Sequence, residues 1–153
     1  MFKSGIVKLK IVWIGKTKEP TIRSLTAEYL KRISRYAEVE GVALADESAI
    51  LKLGEKIGGR PAHALVLLDS RGKQLSSEEF AQFLQNHQDR NTHPLALGIG
   101  PADGFSPDTL NFATAVLSLG KLTLAHELAR IVLLEQVYRA FTILKGHPYH
   151  TGH

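Results

Sequence analysis

Short apolar runs alternate with longer amphipathic stretches along the chain, and that alternation sets the fold class. Leu9–Gly15 (LKIVWIG) is an apolar run closed by glycine, the pattern of a buried strand. Across Thr21–Ile33, Ile22, Leu25, Leu30 and Ile33 are apolar while Arg23, Glu28, Lys31 and Arg32 are polar, which predicts an amphipathic helix. Val39–Leu44 reads as a weaker second strand and Glu47–Ile57 as a short helix stopped by Gly58 and Gly59. Ala64–Leu68 (ALVLL) is continuously apolar, as expected of a strand covered on both faces. Asp69–Lys73 (DSRGK) follows as a turn, and Ser76 with Glu79 forms a capping box that opens a helix running through His87. Leu95–Ile99 is a fourth strand, followed by the loop Gly100–Phe105. Ser106 then caps a helix with Pro107 at its first position, where a missing N–H costs nothing. Leu122–Leu124 predicts a short fifth strand, and Ala125–Lys145 the longest helix, ended by Gly146.

Strands separated by helices imply an α/β fold: a mostly parallel sheet of about five strands flanked by helices. The 153 residues fit one domain. Ligands of such sheets bind beyond the carboxyl ends of the strands. Three segments occupy those positions: Asp69–Lys73, Gly100–Phe105 and the stretch around Ser118–Leu124.

Composition narrows the chemistry. The absence of cysteine excludes disulfides, a thiolate nucleophile and Cys-ligated metal. No apolar run reaches the length of a membrane span, and Met1–Lys10 lacks the apolar core of a signal peptide, so a cytoplasmic protein is expected. The net charge of +4 is unevenly spread, because residues 1–73 sum to +6 and residues 74–153 to −2. Lys16, Lys18, Arg23, Lys31, Arg32 and Arg35 fall on one loop and one helix. They fit either a solvated helix face or a surface that meets a phosphate backbone, and charge alone leaves both open.

The loop GPADG has neither dinucleotide nor P-loop spacing. On the last helix, Glu135, Gln136 and Arg139 make a narrow polar stripe among apolar residues. Glu135 and Arg139 stand at i,i+4, which suits a simple ion pair and a functional pair equally. The tail carries His147, His150 and His153, but Gly146 and Pro148 end the helix before them. Their spacing therefore fixes no ligand geometry, and metal binding is not expected.

These pieces come together in a resemblance. Leu119-Gly120-Lys121-Leu122-Thr123-Leu124-Ala125-His126, then Glu135-Gln136-Val137-Tyr138-Arg139-Ala140, then His147-Pro148-Tyr149-His150 strongly resemble the RlmH family, bacterial 23S rRNA pseudouridine N3-methyltransferases of the SPOUT class. The likeness extends to Ile11–Lys16, Glu28-Tyr29, Leu68-Asp69 with Gly72-Lys73, Leu75-Ser76-Ser77-Glu78, and Ile99-Gly100 with Gly104-Phe105-Ser106.

The resemblance implies a SPOUT-type α/β knot with a trefoil-knotted C-terminal region, S-adenosylmethionine as methyl donor without a metal, and a homodimer. It also implies a target in the helix 69 loop of 23S rRNA in the assembled ribosome. Carried over residue by residue, the methyl-donor site maps to Leu68, Gly100, Leu119, Gly120, Lys121, Leu122, Thr123 and Leu124, and the catalytic candidates are Arg139, Tyr149 and His150. Where the family has Gly-Gly this chain has Gly100-Pro101, and where it has Leu-Pro-His this chain has Leu124-Ala125-His126. The ending Thr151-Gly152-His153 replaces a commoner basic one. A SPOUT protein that binds ribosomes or RNA without catalysis is the alternative that Pro101 motivates, and a metal-dependent hydrolase using the tail histidines is a third reading.

Overall fold

The computed structural model of the protein describes residues 7–90 and 93–151. Its elements alternate along the chain: β1 (Val7–Ile14), α1 (Pro20–Ile33), β2 (Ala37–Leu44), α2 (Glu47–Leu53), β3 (Ala64–Gln74), α3 (Ser77–Arg90), β4 (Leu95–Ile99), α4 (Pro107–Phe112), β5 (Ala115–Ser118) and α5 (His126–Leu144). A short 3-10 turn, Pro148–Thr151, closes the described chain. The five strands form one sheet in the order β2-β1-β4-β3-β5, and every pairing is parallel.

The side chains of a strand alternate between its two faces, and the core divides accordingly. Leu9, Ile11, Trp13, Val66, Leu68, Leu95, Leu97 and Ile99 face the larger cluster, where Ile33 of α1, Phe80 and Leu84 of α3, and Leu134, Val137 and Phe141 of α5 cover them. Val12, Leu65, Leu67 and Ala96 face the smaller cluster with Ile50 of α2 and Phe105. Every residue of β4 is buried, as its central place between β1 and β3 requires. Helix α5 is apolar nearly all round because it packs on the sheet while touching both α1 and α3.

The parallel register aligns one row of residues across the sheet. Trp13 pairs with Ile99, Ile99 with Leu68, and Leu68 with Leu117. The chain leaves the sheet just beyond this row at three of the four strands. β3 does not leave cleanly: Leu117 of β5 is paired by Leu68 and again by Lys73, so residues 69–72 bulge away and return. The segment expected as a simple turn is thus an excursion within one longer strand.

Gly72 makes that return possible. A Cβ on it would lie 2.6 Å from the carbonyl carbon of Val116 and 2.7 Å from the backbone of Leu117. No rotation of a side chain relieves a contact of that kind with backbone.

The fifth strand is not where the pattern placed it. Leu122–Leu124 is loop, with Leu122 85% exposed, and the strand is Ala115–Ser118. Backbone pairing with β3 selects the segment that lies alongside it, whereas three apolar residues in a row carry no such register. The other expected strands and helices are present, with ends displaced by a few residues.

The close approach at Gly72 leads to a paired prediction. Gly72→Ala should cost about 3 kcal/mol or more in urea unfolding or prevent soluble expression. Gly59→Ala, at a site with nothing within 4 Å of the new carbon, should stay within about 0.5 kcal/mol of the parent.

Candidate functional site

Beyond the carboxyl ends of β3, β4 and β5 the three segments enclose a cavity of ≈ 470 Å³. Its walls are Leu68–Arg71, Ile99–Phe105 and Ser118–Leu124, with His126 and Ala129 from the first turn of α5. A volume of that size suits a nucleoside-sized ligand. Leu68, Gly100, Leu119, Gly120, Lys121, Leu122, Thr123 and Leu124 all line it.

Local chemistry holds each wall. Phe105 is buried, and its ring lies against Gly100 so closely that a Cβ there would stand 3.0 Å from it. The turn from Pro101 is closed by the Gly104 N–H donating to the Pro101 carbonyl at 2.8 Å, with Gly104 at φ +87°. Pro101 thus keeps the turn closed through its carbonyl, which needs no N–H. In the third segment the Ser118 hydroxyl bridges the Gly120 backbone, accepting from its N–H at 3.1 Å and donating to its carbonyl at 3.0 Å.

An ion pair ties the first wall to the second. The Asp69 side chain is only 3% exposed, and its carboxylate accepts from Arg71 Nε at 2.8 Å and Nη2 at 3.0 Å. It also accepts from the backbone N–H groups of Arg71 and Phe105. Arg71 Nη2 donates in turn to the Phe105 carbonyl at 2.6 Å. The hydrogen bonds from Arg71 hold the Asp69 carboxyl below its usual pKa, against burial, which acts the other way.

A second polar knot supports the floor. Arg130 is fully buried, yet among the described residues its guanidinium hydrogen-bonds no carboxylate. It donates to Thr17 Oγ1 at 2.8 Å, to the carbonyls of Ile14 and Gly15, and to His126 Nε2 at 2.8 Å, and it lies 5.4 Å from the Trp13 ring centroid. Because an arginine only donates, His126 Nε2 must be unprotonated and the ring proton sits on Nδ1. Burial, followed by the charge of Arg130, lowers the His126 pKa and keeps the imidazole neutral. The neighbouring Glu127 carboxylate accepts the backbone N–H groups of Lys18 and Glu19 at the start of α1. The end of β1, the start of α1 and the start of α5 are joined here.

The catalytic candidates gather elsewhere. Arg139 Nη2 donates to Glu135 Oε2 at 2.6 Å, and the Tyr149 hydroxyl donates to the same oxygen at 3.0 Å. The Arg139 guanidinium lies 5.1 Å from the Tyr149 ring centroid, and Tyr138 meets Tyr149 edge-on at 4.7 Å. Tyr29 and Tyr36 pack on Tyr138, so the tyrosines gather where the tail meets α1 and α5. Burial, then hydrogen bonds with Tyr29 and Glu135, raise the Tyr149 pKa, so its hydroxyl keeps its proton. His150 belongs to the 3-10 turn by its backbone, while its side chain lies outside the described residues, as does His153.

Neither Arg139 nor Tyr149 lines the cavity. Arg139 lies ten residues beyond Ala129 on α5, which is roughly 15 Å along a helix axis. A smaller cavity of ≈ 330 Å³ intervenes, sharing Leu68, Ser118, Leu119 and Gly120 with the first and reaching Gln136, which accepts from the Ser77 hydroxyl. Sequence reasoning assigned no individual role to Asp69, Arg71, His126 or Arg130. The signal for Arg130 was a cation on a helix otherwise committed to the core.

A family model described as a predicted SPOUT methyltransferase matches residues 7–150. The chain belongs to the SPOUT methyltransferase family. It is 58% identical over 96% of its length to all of a "Ribosomal RNA large subunit methyltransferase H" from Koribacter versatilis (strain Ellin345). A protein of the same name from Geotalea daltonii is 43% identical, covering 94% of this chain and 99% of that one. Among solved structures, a probable methyltransferase from Bordetella pertussis Tohama I superposes with a TM-score of 0.55 at 11% identity, over 88% of this chain and 95% of that one. A probable methylase family protein from Haemophilus influenzae Rd KW20 gives 0.56 at 14% identity, over 93% and 70%. At such identities these structures establish the shared SPOUT fold only. Among the described residues no helix is long and apolar enough to cross a membrane, and no group of three metal-ligating side chains converges.

Ala125, at the position where the resemblance implies proline, caps α5 with φ −56° and ψ 139°. That is the φ proline imposes, so the alanine costs only the entropy of a freer unfolded chain. Ala125→Pro should raise unfolding stability by about 0.4–1 kcal/mol, read as an upward shift in Tm.

Proposed function

We propose that the protein transfers a methyl group from S-adenosylmethionine to N3 of a pseudouridine in the helix 69 loop of 23S rRNA, in the assembled ribosome of the bacterial cytoplasm. The observation that carries the reading is that Leu68, Gly100 and Leu119–Leu124, scattered over the sequence, line a single cavity of the right size. The near-full-length likeness to proteins named for the ribosomal RNA large subunit supports the substrate class. In the same reading the C-terminal segment forms a trefoil knot.

S-adenosylmethionine carries a methyl group on a sulfonium sulfur, which makes that carbon electrophilic. The chain's own residues have to supply the rest. Gly100 and Leu119–Leu124 offer backbone and apolar contacts for a nucleoside, and His126, held neutral by Arg130, adds no like charge beside a cationic ligand. A base imide is weakly acidic, so its proton must be taken as the new N–C bond forms. His150 is assigned that proton. Tyr149 is not, because its own hydroxyl stays protonated. Arg139, oriented by Glu135, stabilises negative charge growing on the base or holds an adjacent phosphate, and Tyr149 offers an edge of ring to the base.

The separation along α5 gives the homodimer a role. Arg139 is folded onto Glu135 and Tyr149 rather than extended toward the cavity of its own chain, so the tail of one subunit completes the cavity of the other. Exposed Leu122 and Leu128 beside the cavity provide apolar surface for that contact.

Calorimetry should show about one S-adenosylmethionine per chain, and methyl transfer to ribosomes lacking the modification should map to the pseudouridine N3. A folded protein that binds no methyl donor at millimolar concentration overturns the reading. His150→Ala should lower kcat by about 10²–10⁴-fold with unchanged affinity for the methyl donor. Mixing a chain with its cavity filled, Thr123→Trp, and a chain lacking the tail cation, Arg139→Ala, should restore about a quarter of parental activity. Restoration of none would place the whole site within one chain.

A further inference from the structure

The Asp69–Arg71 pair does more than the fold requires of it. Arg71 spends Nε and Nη2 on Asp69 and the Phe105 carbonyl, which clamps the first wall of the cavity to the second. Its Nη1 has no hydrogen-bond partner among the described residues, and the side chain is 52% exposed on the cavity lining. A clamp alone would be served by a guanidinium with that edge covered. Here the opposite arrangement holds. The carboxylate is buried at 3% exposure, and its arginine, a residue of the cavity lining, is left half-exposed.

We propose that Arg71 is a ligand-binding residue whose Nη1 edge takes an oxyanion at the cavity mouth, a carboxylate or a phosphate. The assignment rests on the methyltransferase reading for the identity of the ligands. The chemistry follows from the geometry. Rotating an arginine into place normally costs side-chain entropy, and here the buried Asp69 and the Phe105 carbonyl have already fixed the plane. The remaining N–H groups are presented in a set direction, and a lysine at 71 could not hold both partners and offer a third edge. Lys121 lies on the same cavity lining and is exposed, which adds positive potential on that side, while Asp69 is already neutralised. Gly104, at φ +87°, keeps the approach open, since a Cβ there would crowd Asp69 Oδ2 at 3.3 Å and Arg71 Nη2 at 3.5 Å.

Two sources supply such an oxyanion, the amino-acid end of the methyl donor and the RNA backbone, and binding measurements separate them. The probes are S-adenosylhomocysteine, 5′-methylthioadenosine, which has the same nucleoside and thioether without the amino acid, and a short single-stranded RNA. Arg71→Met keeps length and packing while removing the charge. If the carboxylate is the ligand, Arg71→Met weakens S-adenosylhomocysteine roughly 10- to 100-fold more than it weakens 5′-methylthioadenosine, whose loss by calorimetry reads the clamp alone. If a phosphate is the ligand, the two small molecules change alike, RNA affinity falls roughly tenfold more than theirs, and the slope of log K against log salt becomes shallower by about 0.7. Either outcome supports the assignment.

Equal weakening of all three probes, with the salt slope unchanged, means that Arg71 only clamps the loops, and overturns it. So does no change with any of the three probes. Arg71→Lys, which keeps the charge but not the fork, guards against misfolding: it should recover RNA affinity in the phosphate case and little of the S-adenosylhomocysteine affinity in the carboxylate case. A parent protein that binds neither nucleoside would count against the methyltransferase reading, while the RNA measurements would still decide the role of Arg71.

Discussion

Everything in the site depends on how closely β3 and β5 pass at Gly72. Leu117 is held by Leu68 on one side of the excursion and by Lys73 on the other, so residues 69–72 have no freedom to spread over the surface. They must rise over the end of the sheet and come back. That places Asp69 above the row formed by Trp13, Ile99, Leu68 and Leu117, where a carboxylate is deprived of water. An isolated charge in such a place costs several kcal/mol, and Asp69 is tolerable only because Arg71 and two backbone N–H groups meet it. The loop after β4 is then drawn in by the same pair. A backbone contact without room for a single carbon therefore determines where the charged groups of the cavity stand.

Much of this layout was legible in the residues. Four of the five strands, the longest helix and the capping box at Ser76 follow from periodicity and turn chemistry, since each depends on neighbours in sequence. The strand-end loops were legible too, because a parallel sheet puts its carboxyl ends on one edge. β5 was not. Four residues with ordinary propensity become a strand only by lying beside β3, and nothing local reports that. The extension of β3 through Asp69–Gln74 was hidden for the same reason: a polar, glycine-containing segment has the composition of a turn and takes its strand character from a partner more than forty residues away. The family resemblance picked out the cavity residues but gave no role to Arg130 or Asp69, whose roles depend on contacts across 113 and 36 positions.

Helix α5 joins two different environments. At its first turn, His126, Glu127 and Arg130 fasten it to the end of β1 and the start of α1 through hydrogen bonds alone. At its last turns it carries Arg139 and Glu135 into the layer of tyrosines that holds the tail. A rigid rod anchored at both ends keeps the two polar centres at a fixed spacing. Arg130 contributes to that rigidity without a hydrogen-bonded carboxylate among the described residues: carbonyl dipoles, a neutral imidazole and an indole face share the solvation of its charge, with the Glu127 charge nearby.

The buried hold of Arg130 on Ile14 and Gly15 also fixes the order in which the protein can be completed during synthesis. The first strand emerges early, yet the carbonyls at its end wait for a residue 116 and 115 positions later. Until α5 is available, those carbonyls lack the guanidinium, and the cavity lacks the wall that His126 and Ala129 provide. A chain still attached at its C-terminal third therefore has most of its sheet but no finished pocket. Ligand binding becomes a property of a chain in which α5 is in place rather than of the sheet and its loops alone.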